Sequence, residues 1–64
     1  MYDDQLFLTT SYAAMLGGVH VSTIIRLDKA GRFPNTRRTP GGHRRILLAD
    51  LRGVLLPPAV HGGR

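Results

Sequence analysis

The spacing of apolar and polar positions along this chain predicts three short helices and one hairpin. Leu8 is followed by Thr9 and Thr10, and either threonine can accept from the free N–H groups of a first helical turn. Residues 11–16 read as a short helix with Ala13, Ala14 and Leu16 facing inward. Gly17-Gly18 ends it, since glycine takes the left-handed conformation at a helix C-terminus without steric cost. Val19 sits in the connection as an apolar plug, and His20 or Ser22 caps a second helix over 21–30. Ile24 and Leu27 define its inner face, while Ser22, Arg26 and Lys29 recur at helical spacing on an outer polar face. Ile25 lies beside that polar face, as peripheral core or as an exposed apolar contact. Gly31 closes the helix.

Two short helices joined by a glycine-bearing turn outline a helix-turn-helix, although any helical hairpin gives a similar pattern. Phe33-Pro34 then opens an extended stretch. Thr36-Arg37-Arg38-Thr39 and Arg44-Arg45-Ile46 flank Pro40-Gly41-Gly42-His43, which reads as a hairpin turn. Such a hairpin, with arginines on both arms, is a wing; marginal alone, it needs Phe33 and Ile46 to anchor it to the helices. A third helical segment is expected over 47–56, with Leu51 and either Val54 or Leu55 inward, and Pro57-Pro58 stops it. Residues 1–7 read as a lead-in. The expected fold is mainly α with a small β-hairpin, a winged helix-turn-helix over 1–56 followed by a disordered tail over 57–64.

Composition narrows the function. Sixty-four residues leave no room for a Rossmann sheet or a TIM barrel, and without cysteine there are no disulfides and no cysteine-based zinc site. No apolar run approaches the ~20 residues of a spanning helix, and the acidic start has no signal-peptide character; a cytoplasmic protein without membrane partners is expected. The net charge is +5, and eight of the nine basic residues are arginine. That charge is localised. Residues 1–25 carry Asp3 and Asp4 and no lysine or arginine, while residues 26–45 carry Arg26, Lys29, Arg32, Arg37, Arg38, Arg44 and Arg45 against Asp28. A basic block this dense is the footprint of a polyanionic partner, and arginine's planar fork suits phosphates and guanine edges.

Within that block, Ser22, Thr23, Arg26 and Lys29 have the chemistry of a recognition helix. Hydroxyls meet phosphates or base edges, Arg26 suits a guanine O6/N7 pair, and Ile25 suits a thymine methyl. The bland alternative is a solvated helix face. Arg37, Arg38, Arg44 and Arg45 flank a slim tip that fits a minor groove, with Gly42 and His43 at its end; the alternative is a hairpin whose charges only prevent edge pairing. His20, His43 and His61 are too scattered for a metal site. No catalytic triad, Walker motif or carboxylate cluster is present, so neither catalytic residues nor cofactors are expected. An acidic protein is the other partner such a surface would suit.

Leu8-Thr9, Ala14, Val19, Thr23-Ile24, Arg26, the run from Ala30 to Pro34, and above all Arg38-Thr39-Pro40-Gly41-Gly42-His43-Arg44-Arg45 resemble the MerR-like winged-helix DNA-binding domain. This module is shared by MerR-type regulators, BldC-like developmental regulators and phage excisionases. The resemblance spans about residues 7–56. It implies that the second helix enters the major groove, with roles for Ser22, Thr23 and Arg26. It also implies that the wing meets the adjacent minor groove and backbone through Arg37, Arg38, Gly42, His43, Arg44 and Arg45. Two departures stand out: Leu27 replaces a frequent tryptophan, and Leu47-Leu48 replaces positions often polar, leaving an apolar surplus near the third helix. No heptad pattern or effector region follows the wing, which favours the stand-alone excisionase type, or recombination directionality factor. That type implies DNA bending at repeated sites, head-to-tail cooperative self-association on DNA, an integrase partner and a nucleoid-associated location in a bacterial host. A small BldC- or MerR-like transcriptional regulator binding direct repeats is the alternative.

Overall fold

The computed structural model describes residues 4–56. They form β1 (Phe7–Thr9), α1 (Thr10–Gly17), α2 (Val21–Lys29), β2 (Arg37–Arg38), β3 (Arg44–Leu47) and α3 (Leu48–Val54). The strands make one antiparallel sheet in the order β1-β3-β2. This is the expected mainly helical fold with a small β-hairpin, a winged helix-turn-helix. The expected tail, with His61, and the first three residues lie outside the described region.

Both ends of α1 are set by local chemistry. The Thr9 side chain accepts from the Tyr12 N–H at 3.1 Å, which satisfies one of the orphan donors of the first turn. At the other end Gly18 turns left-handed at φ 69°, and the Val19 and Gly18 amides donate to the Ala14 and Met15 carbonyls. This reciprocal pair is a Schellman closure. The end of α2 repeats it: Arg32 N–H reaches Leu27 O, and Gly31 N–H reaches Asp28 O, each at 3.0 Å. Of the two candidate caps for α2, His20 is the one used. Its Nδ1 accepts from the Ser22 amide at 3.1 Å and stands 3.0 Å from the Ser22 hydroxyl.

The lead-in is not featureless. Its last residue, Phe7, opens β1, which pairs Phe7 with Leu47, Leu8 with Ile46 and Thr9 with Arg45. A three-residue strand is too short for an alternating pattern to show, and only its partner β3 gives it structure. The lead-in also replaces a cap on α3. No side chain caps this helix; instead Leu48 N–H donates to Leu6 O at 2.8 Å and Ala49 N–H to Asp4 O at 3.1 Å. Asp4 is further held by Arg52 Nε at 2.8 Å. The helix consequently starts at Leu48, one residue later than expected, and β3 passes into it without a loop.

The core is Leu8, Ala13, Ala14, Ile24, Phe33, Ile46, Leu48 and Leu51, flanked by Leu16, Val19, Val21, Leu27, Val54, Leu55 and Leu56. Ala13 and Ala14 let α1 lie close to its neighbours, and Phe33 and Ile46 anchor the wing as expected. The expected apolar surplus at Leu47-Leu48 is taken up inside the domain. Leu48 is in the core, and Leu47 is only 7 % exposed. Consecutive strand residues face opposite sides. On the face opposite Ile46, Leu47 lies beside Phe7, over whose ring Arg37 reaches at 4.7 Å.

Candidate nucleic-acid interface

Helix α2 presents its polar face outward. Ser22, Arg26 and Lys29 are exposed, and Thr23 and Ile25 are half-buried. The side chains of Arg26 and Lys29, and of Arg32 just beyond the helix, have no hydrogen bond or ion pair among the described residues. They are free to meet a ligand. At about 100° per residue, Asp28 falls between buried Ile24 and half-buried Ile25. Ile25 therefore lines the edge between the core side and the exposed cationic face. The chain leaving α2 is pinned by Asp50 of α3, whose carboxylate accepts from the Asn35 backbone at 2.9 Å and from its amide Nδ2 at 3.1 Å. This pin and buried Phe33 fix where the wing begins.

The wing tip is a tight turn. Gly42 N–H donates to Thr39 O at 2.8 Å, and Thr39 N–H donates to His43 O at 2.9 Å. Gly42 at φ 85°, not Gly41, takes the left-handed position. That is the geometry of a three-residue loop with proline at its first position and a glycine bulge at its last. The Thr39 hydroxyl also accepts from the His43 amide at 3.2 Å. The His43 ring lies against Gly41: a β-carbon at Gly41 would stand 3.3 Å from the imidazole Cδ2. The tip stays slim because Gly41 carries no side chain there.

Each wing arginine is already held. Arg37 stacks on Phe7, which orients its guanidinium by cation–π attraction. Arg38 donates to Gly42 O, and Arg45 to Arg44 O, both at 3.0 Å. Arg44 Nε donates to Asp28 Oδ2 at 2.8 Å, with side chains 16 % and 13 % exposed. The register sets Arg37 opposite Arg45 and Arg38 opposite Arg44. Like charges directly opposite one another destabilise a sheet, so this hairpin carries a built-in demand for anions. Asp28 answers part of it. Burial pushes its carboxyl up, but hydrogen bonds from Thr36 and Arg44 and the charges of Arg44 and Arg38 outweigh this and hold it below the usual carboxylate range. The Thr36 hydroxyl, with one proton to give, stands between this carboxylate and the Phe33 carbonyl at 3.0 Å.

The structure thus joins the two sequence-predicted groups, helix and wing, through a contact the sequence reading did not foresee. Asp28 and Arg44 are distant in sequence, and the one available signal was a lone acid inside a basic block. The Phe7–Arg37 stack was missed for the same reason as β1.

The family model described as "MerR family regulatory protein" matches residues 9–46, more than half of the chain, from the cap of α1 through the wing. The chain belongs to the MerR family. No curated protein and no solved structure matches it significantly. The MerR-family match holds α1, α2 and both hairpin arms, so the helix-turn-helix and wing form the family's DNA-binding domain. The first two residues of β1, Leu47 at the end of β3 and all of α3 lie outside it. Among the described residues no cluster of His, Asp or Glu is placed to hold a metal ion, and no helix is long and apolar enough to cross a membrane.

Proposed function

We propose that this MerR-family chain binds double-stranded DNA sequence-specifically, with α2 in the major groove and the hairpin in the adjacent minor groove. The observation that carries this is the contrast between the two cationic groups. Arg26 and Lys29 on α2 are free, while four arginines on a two-stranded hairpin face one another with a single carboxylate among them. Ser22, Thr23, Ile25, Arg26 and Lys29 read bases and phosphates on α2. Arg37, Arg38, Gly42, His43 and Arg45 serve the wing, and Arg44 belongs to it through its pairing with Asp28. A gel shift with random duplex, repeated against an acidic polypeptide competitor, tests this. Retarded duplex is expected; binding to the acidic polypeptide alone would assign the surface to a protein partner.

The finer reading is an excisionase that bends DNA at repeated sites and turns an integrase toward excision, acting at the nucleoid in the cytoplasm. The wing run Arg38–Arg45 resembles the module that excisionases share with MerR- and BldC-like regulators, so it is compatible with this reading and with the regulator alike. Leu47 and Leu48, one expected source of head-to-tail contacts between neighbours on DNA, are buried, so such contacts would use apolar residues exposed in the described region, such as Leu6, Tyr12 and Met15. A transcriptional regulator of direct repeats uses the same platform. Circularly permuted duplexes carrying a selected site measure the bend. A recombination assay with a candidate tyrosine or serine integrase then decides: stimulated excision is the expected result, and unchanged recombination with altered transcription supports the regulator.

A further inference from the structure

Asp28 is the only acidic residue in 26–45, and it does not share the exposed face of α2. Its carboxylate is largely covered and spent on the wing, on Arg44 Nε at 2.8 Å. Elsewhere the wing is held by β1 along β3 and by Arg37 on Phe7, but the Asp28–Arg44 pair is what ties it to α2. Ile46 seats the far end of β3 in the core, but Arg44, Arg45, Arg37 and Arg38 bring no apolar side chain to the hairpin. Two short strands alone are marginal. A carboxylate beside a phosphate-binding surface repels the ligand, so its presence calls for a compensating role.

We propose that Asp28 is a positioning residue for DNA recognition: through Arg44 it clamps the wing to the recognition helix and sets the spacing between the two groove contacts. This rests on the DNA-binding reading above. Phosphate contacts tolerate small displacements, whereas base contacts need both elements in register at once. The clamp therefore governs discrimination between sequences more than affinity for DNA as such. Charge alone predicts the opposite outcome, because removing a negative charge from the basic block strengthens binding to every duplex equally.

The test uses the full chain and two probes: a duplex selected by the wild-type chain from a random-sequence library, and unselected random duplex. For Asp28→Asn, random-duplex affinity is expected to be unchanged or raised, while the selected-to-random ratio falls by about tenfold or more. An unchanged ratio overturns the proposal. Arg44→Gln provides a second arm that holds even where Asp28→Asn fails to fold. Its salt slope is expected to match that of the wild type, because the Arg44 head is occupied by Asp28. A slope reduced by about one would put Arg44 on a phosphate and overturn the clamp. A wild-type chain that retains neither probe refutes the DNA-binding reading itself, an outcome distinct from wild-type discrimination persisting in Asp28→Asn.

Discussion

Arg26 and Arg44 show how the same side chain is used in two ways within one small domain. Arg26 is exposed on α2 without a partner among the described residues; Arg44 is nearly covered and ion-paired. Arg26→Ala should leave the fold intact and cost about 1–3 kcal/mol of binding to a selected site, relaxing preference at one base pair. Binding measured against single-base variants of that site checks this, since a uniform loss would make Arg26 a phosphate contact. Asp28 yields a pH signature. Its folded-state pKa lies below the value near 3.9 of an unfolded chain, so its stabilisation is full above about pH 4 and is lost as pH falls through the folded value. Asp28→Asn should therefore cost about 1–3 kcal/mol at pH 7. The gap from wild type should close as the solution is acidified below about pH 4, as followed by urea unfolding at several pH values.

At the scale of elements, α3 is the least optimised. Gly53 lies within it, exposed, and an added β-carbon there would meet nothing within 4 Å. Gly53→Ala should raise stability by about 0.5–1 kcal/mol, read as a higher thermal midpoint with DNA binding unchanged. The helices and the wing were legible from sequence because their signals are local. Gly17-Gly18 and Gly31 mark helix ends, Ile24 is spaced inward, and Pro40-Gly41-Gly42 dictates the turn. What sequence did not disclose is non-local. β1 exists by virtue of β3, and the clamp joins residues with no shared period. Leu47 and Leu48 looked like an apolar surplus because a strand becomes a helix between them, so both are buried although adjacent. Neither helix nor strand periodicity accommodates such a junction. The candidate contact residues on α2 were legible as a polar stripe, but which wing arginines are already engaged was not.

For the whole molecule, charge sets two opposite responses to salt. The basic block of residues 26–45 repels itself, and the opposed arginine pairs concentrate that repulsion. Screening relieves it, so the thermal midpoint of the free chain should rise as sodium chloride is added. DNA affinity should move the other way, falling about a hundredfold between ~50 and ~200 mM salt if roughly four phosphates are neutralised. Melting curves and binding isotherms over one salt series check both signs together. Asp4 is paired with Arg52 on α3 rather than with this block.

The loopless passage from β3 to α3 bears on how the domain tolerates change in length. Leu47 closes the sheet against Phe7, and Leu48 enters the core one residue later. An added residue there would rotate the helix by about 100° and carry Leu51 out of the interior. The turn at Gly41-Gly42 has no such coupling, since it ends in solvent. Insertions and labels are thus accommodated at the wing tip, where they spare the fold, while the strand–helix joint fixes the length of everything around it.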